Sequence, residues 1–140
     1  MGESLLKGGT KKEYGGYVCE PRVSEYTGIV SSWSAHKNFD DGSFDAIETN
    51  SEAETKRLID TRSSADIINA HYNTIIMIAA RLPKDVAKQF FVKIIESKEA
   101  WDAGNNAKAS EIAENLATDE RIFFQLEYWL TSLSKHLKRA

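Results

Sequence analysis

Apolar and polar positions are unevenly spread along this chain, and one run stands apart. From Ile67 to Ala80 there is no Asp, Glu, Lys or Arg, although such residues make up 28% of the sequence. At 3.6 residues per turn, Ile68, Tyr72, Ile75, Ala79 and Leu82 fall on one stripe. His71 and Ile78 border it on one side and Ile76 on the other. Asn69, Asn73 and Met77 point the opposite way, uncharged and mildly polar, as suits a helix covered by another segment. The pattern predicts a central helix near 64–82. Ser63 and Asp66 mark its start as a capping-box pair, with the acid at the positive helix end.

Pro83 closes that run and suits the first turn of a new helix. Residues 84–103 keep the helical period, with Val86, Phe90, Ile94 and Trp101 on one stripe and Phe91 and Ile95 widening it. Gly104 supplies a left-handed stop. The short Leu82-Pro83 link implies a helical hairpin or corner. A third long helix is expected at 118–138, capped by Thr118, with Asp119 and Glu120 in its first turn and Lys135, His136, Lys138 and Arg139 in its last. Ile122, Leu126, Trp129, Leu133 and Leu137 form its core stripe, with Phe123 and Leu130 on the flank. Short helices are expected at 52–60, capped by Ser51 with Glu54, and at 107–116, with Ile112, Ala113 and Leu116 facing inward.

Before residue 50 the period changes. Ile29, Ser31, Trp33 and Ala35 alternate with Val30, Ser32, Ser34 and His36, and Asp41-Gly42 makes a two-residue turn, so 29–48 reads as a β-hairpin. A lone hairpin is marginal in water and must lean on the helices, here through Trp33. Residues 1–28, rich in Gly and polar groups, read as a flexible or extended arm. Lys7-Gly8-Gly9-Thr10-Lys11 lacks the spacing of a phosphate-binding loop. The fold expected is mainly α (α+β): a small helical bundle around a central buried helix. One domain, 1–140, is divided into an arm (1–28), a small hairpin (29–48) and a helical bundle (49–140).

A chain of 140 residues can bury a sizeable core without covalent staples. The single cysteine, Cys19, excludes an internal disulfide and fits a reducing compartment. The central run is too short and too polar to span a bilayer, and no leader or lipidation motif is visible, so a cytoplasmic, membrane-free protein is expected. The net charge of −3 is unevenly spread. Residues 39–60 carry seven acids against two bases, while 61–140 carry ten against eleven. No broad basic face suggests direct nucleic-acid binding.

Candidate chemistry is sparse. His36, His71 and His136 do not sit at metal-ligand spacing, and no cysteine cluster exists. Cys19 lacks an activating context, and Glu54, Asp60 and Asp66 fit capping or solvated roles. No catalytic residue, metal or cofactor is assigned. The composition instead suggests a non-enzymatic interaction protein: an adaptor, assembly subunit or inhibitor of the profile that phage and plasmid inhibitors share. Two contact surfaces are expected. Asp40, Asp41 and Asp45, in the acidic tract, would dock on a partner with a basic, nucleic-acid-binding surface. Phe124 and Tyr128 lie opposite the core stripe of the last helix, with Arg121 and Lys135 at their rim, and would meet a partner or a second copy in a homodimer, unless the N-terminal arm folds back to cover them. The alternative is a nucleotide-like ligand stacked on Trp33, Tyr17 and Tyr26 with Arg22 holding its phosphate.

Overall fold

The computed structural model describes residues 11–140. They form two compact units, one comprising the chain through Asp40 together with Phe44–Arg62, the other Asp41–Ser43 together with Ser63–Ala140. The run Lys7-Gly8-Gly9-Thr10 lies outside the described residues.

The first unit overturns the expectation of a helical bundle with one small hairpin. Four strands, β1 (Lys12–Tyr14), β2 (Tyr17–Val23), β3 (Val30–Asn38) and β4 (Phe44–Thr49), form an antiparallel meander in chain order. Half of the sheet comes from residues expected to form an arm. Tyr14 pairs with Tyr17 across Gly15-Gly16, whose φ values of 57° and 84° are the two consecutive left-handed residues that a tight hairpin demands. A Cβ on Gly15 would also lie 2.7 Å from the Ile59 side chain. Tyr17, Cys19 and Pro21 then alternate into the interior while Val18, Glu20 and Arg22 face out. Between β3 and β4 the register pairs Asn38 with Phe44, so the connection is longer than the two-residue turn expected at Asp41-Gly42.

Helix α1 (Glu52–Asp60) covers one face of this sheet. Ser51 caps it, accepting the Glu54 N–H. Tyr17, Cys19, Ala35, Ile47 and Ile59 form the apolar core, with Tyr14 and Leu58 packed against it. Trp33 is only half-buried, so the sheet leans on α1 chiefly through smaller side chains.

The second unit holds α2 (Ser64–Ala79), α3 (Lys84–Asp102), α4 (Asn106–Ala117) and α5 (Phe124–Arg139). Ser63 and Asp66 form the capping box read from the sequence. Helix α3 ends in a Schellman arrangement: Gly104 N–H donates to the Trp101 carbonyl and Asn105 N–H to that of Ala100, with Gly104 at φ 82°. Ile68, Tyr72, Ile75 and Ala79 of α2 pack against Ile94, Leu126, Leu130, Leu133 and Leu137, all fully buried. A polar relay crosses this core. Tyr72 Oη donates to Ser97 Oγ at 2.7 Å, and Ser97 Oγ donates to the Ala109 carbonyl at 2.9 Å, linking α2, α3 and α4. Burial pushes the Tyr72 phenol up to about 12.

Two helix expectations change. The outer face of α2 is open rather than covered: Asn69 and Asn73 are exposed and Met77 is 67% exposed. The last helix begins at Phe124, not Thr118. The Asp119 carboxylate accepts the Arg121 N–H at 2.9 Å, a side-chain turn that competes with helix propagation and spaces α4 from α5. Among the described residues no helix is long and apolar enough to cross a membrane.

The position of Ile75, with no exposed surface, sets a first prediction. Ile75→Asp would place an unpartnered charge among apolar side chains and lower stability by ~3–5 kcal/mol. Urea unfolding of the variant should show an early transition; melting within a degree or two of the parent chain would contradict α2 as the centre of its unit.

Candidate functional site

An opening in the helical unit lies between α3, α4 and the α4–α5 turn. Val86, Gln89, Phe90 and Lys93 recur at helical spacing on one side of α3. Ile112, Asn115 and Leu116 face them from α4, and Asp119 and Arg121 close one end around a cleft of about 510 Å³. That volume falls in the range of small-ligand sites, and the lining is apolar with a few polar groups.

The polar end is tightly organised. Arg121 Nε donates to Asp119 Oδ1 at 3.0 Å, Nη2 to Asp119 Oδ2 at 2.8 Å, and Nη1 to Gln89 Oε1 at 2.9 Å. Hydrogen bonds from the Arg121 side chain and backbone hold the Asp119 carboxyl down to about 2, against an ordinary 3.8. The guanidinium is therefore fixed in plane on the wall of an apolar cleft. Sequence reading placed Arg121 beside aromatic residues and missed this arrangement. The available signal was Val92, an apolar residue off the stripe of α3 that is 63% exposed and lines the cleft.

One turn along, the outer face of α5 carries the two aromatics singled out from the helical wheel. Phe124 is 78% exposed and Tyr128 48%. Their rings stack with centroids 6.2 Å apart and planes at 26°. Lys135 is half-buried and lines a shallower hollow between α4 and α5 with Glu114, Glu127 and Lys138. At the other end of the face, Arg81 Nη1 donates to Gln125 Oε1 at 3.3 Å, bringing the end of α2 beside the start of α5.

The three aspartates expected to dock on a basic partner are not equivalent. Asp45 has no exposed surface. Arg62 grips it through Nε–Oδ2 at 2.8 Å and Nη2–Oδ1 at 2.7 Å, and Tyr17 Oη donates to Oδ2 at 2.5 Å. Burial, then the bond to Asp45, raises the Tyr17 phenol far above its usual value. Asp45 is a structural anion and cannot meet a partner. Asp41 Oδ1 accepts the Ser43 N–H at 2.9 Å and its hydroxyl at 2.6 Å, and Arg139 Nε lies 3.4 Å from Oδ2. Only Asp40 is exposed with no such partner among the described residues. The rest of the tract is compensated locally: Glu48 by Arg22 at 3.0 Å, Glu52 by Lys12 at 2.9 Å and Glu54 by Arg57. Asp60 accepts the Tyr14 hydroxyl at 2.8 Å.

The residues considered for a nucleotide do not converge. Tyr17 is 4% exposed, with its hydroxyl committed to Asp45. Trp33 stands opposite Pro21 and Arg22 opposite Ser32. These are adjacent register positions, so Trp33 and Arg22 project from opposite faces of the sheet. Tyr26 lies in the β2–β3 loop, 96% exposed. Arg22 pairs with Glu48.

The buried histidines have structural surroundings. His71 has no exposed surface; its Nδ1 lies 2.9 Å from the Ile67 carbonyl and Nε2 2.8 Å from Ser132 Oγ. A carbonyl only accepts, so Nδ1 carries the proton, and in the neutral ring Ser132 donates to Nε2. The pair has the distance of a nucleophile and its base, but Ser132 is only 2% exposed and has no opening toward a substrate. His136 packs edge-on against His71 at 4.9 Å and takes an Arg139 N–H on Nδ1 at 2.6 Å. His36 is exposed on the open face of β3. Burial raises the Cys19 thiol, leaving it protonated within the sheet core. Among the described residues no three His, Cys, Asp or Glu side chains come together as a metal site.

Among the described residues the fold is thus α+β, with an antiparallel meander capped by one helix and a four-helix unit bearing the cleft and the aromatic face. No protein-family model, curated protein or solved structure matches the chain.

The Asp119–Arg121 bond sets a second prediction. A carboxyl lowered on folding contributes stability present above pH 3.8 and lost as pH falls through about 2. A carbon-detected NMR titration should therefore find the Asp119 midpoint near 2. In Arg121→Gln it should return toward the ordinary carboxylate range. An ordinary midpoint in the parent chain would show that the guanidinium is not held.

Proposed function

We propose that this is a non-enzymatic interaction protein, an adaptor or inhibitor, that meets its partner or a second copy through the outer face of α5. One observation carries the reading: Phe124 and Tyr128 stand stacked and exposed on a rigid helix. Aromatics of this size bury ~150–250 Å² each when covered and dominate contact energetics. Exposed aromatics are enriched at interface hot spots; Arg121, three residues before Phe124, is turned to Asp119 and Gln89 instead. Presentation on a helix rather than a loop limits the entropy lost on association. The acidic tract contributes little to this reading, because Asp45 is buried and Asp41 is held by Ser43 and Arg139. Asp40 and Asp60 are left as its exposed acids with no cationic partner among the described residues, Asp60 accepting the Tyr14 hydroxyl.

The test is the double change Phe124→Ser with Tyr128→Ser, read by light scattering, thermal melting and comparative pull-down against the parent chain. The expected result is loss of self-association or of a retained partner, with the melting temperature moved by no more than a degree or two. A large melting drop in an already monomeric protein would place the rings in intramolecular contact. No change in any reading would remove α5 as a contact face.

A further inference from the structure

The cleft between α3 and α4 is separate from the aromatic face and has a chemistry of its own. Its walls are Val86, Phe90, Val92, Ile112 and Leu116. Three charged residues line it: Lys93, Arg121 and Asp119. Each cation has a counter-ion: Asp119 is engaged side-on by Arg121, and Glu96 lies 3.6 Å from Lys93, which stays 60% exposed.

Arg121 is the directional element. A guanidinium has five N–H donors, one on Nε and two on each Nη. Asp119 takes one from Nε and one from Nη2, and Gln89 takes one from Nη1. One N–H on Nη1 and one on Nη2 are left over, and the side chain is 49% exposed. Two donors on a fixed plane match the two oxygens of a carboxylate. Asp119 stays ionised across the ordinary pH range, since its carboxyl is held down to about 2, so the plane does not relax near neutrality. Asn115 adds an uncharged polar group.

From this geometry we propose that the α3–α4 cleft binds a small amphiphilic carboxylate, its apolar tail against Val86, Phe90, Ile112 and Leu116 and its head on Arg121 and Lys93. The volume of about 510 Å³ suits a chain of medium length, and the remaining N–H donors of Arg121 favour an anion over an alcohol or a cation. Phe124 and Tyr128 are not among the residues that line this cleft.

The experiment titrates the full chain, labelled on its Ile, Leu and Val methyl groups, with decanoate, decanol and decyltrimethylammonium, each below its micelle concentration. Decanoate is expected to saturate one site, shifting the methyls of Val86, Ile112 and Leu116. It should bind at least ~10-fold more tightly than decanol, the scale of one charge-assisted contact. Arg121→Gln, at an exposed position, should reduce decanoate to the level of decanol, and Ile112→Glu should abolish decanoate binding through repulsion in the cleft. Equal binding of all three heads, no saturable binding, or shifts centred on α5 would overturn the proposal. So would unchanged decanoate affinity in both variants. Occupation of the cleft by an acidic amphipathic peptide, with no binding of decanoate, would assign it to a protein segment and also overturn the proposal.

Discussion

The first unit depends on a carboxylate with no contact with water. Leaving Asp45 unpaired in the sheet would be heavily unfavourable. Both of its oxygens are taken, one by Arg62 alone and one shared by Arg62 and Tyr17. This triad joins β4, β2 and the residue that ends the unit, and supplies the directional constraint that a small apolar core of Tyr17, Cys19, Ala35, Ile47 and Ile59 lacks. Replacing such a triad by apolar residues can be neutral or better; removing one member is costly, because the others are left charged or unsatisfied. The acidity of residues 39–60 is thus partly an internal requirement of the fold.

The helical unit solves the same problem without buried charge. Its core is apolar, and the polar groups inside are single hydroxyls and two imidazoles, each with a partner: Tyr72 on Ser97, Ser97 on the Ala109 carbonyl, His71 between the Ile67 carbonyl and Ser132, His136 on Arg139. Among the described residues no buried side-chain nitrogen or oxygen lacks a hydrogen bond. Polar side chains inside the unit therefore fix its packing.

The helices were legible in the sequence because their signals are local. The Ser63–Asp66 box, the Gly104 stop and the stripes of α2 and α3 each act within a few residues. The N-terminal strands were missed because Gly15-Gly16 was read as composition. Flanked by Tyr14 and Tyr17, it is a hairpin turn, and Cys19 and Pro21 continue the alternation inward. Asp119 misled in the opposite direction: an acid after Thr118 reads as a helix start, yet its carboxylate closes a turn on Arg121. Asp45 could not be sorted from Asp40 and Asp41, since its partners lie 17 and 28 residues away. The exposure of Phe124 and Tyr128 was legible from the wheel; the cleft beside them was not, because it depends on how far α3 and α4 diverge.

The fully buried acid Asp45 serves the sheet. A double-mutant cycle at Asp45 and Arg62 tests that role most directly. Asp45→Asn, Arg62→Met and the pair would be compared by native-state amide exchange of β2, β3 and β4. Each single change should lose ~3–5 kcal/mol of protection. The double variant should lose less than the sum by ~2 kcal/mol or more, the signature of two groups that need each other. Losses that add to within ~0.5 kcal/mol would contradict the account, showing that Asp45 and Arg62 act independently and that the sheet is held by its apolar core alone.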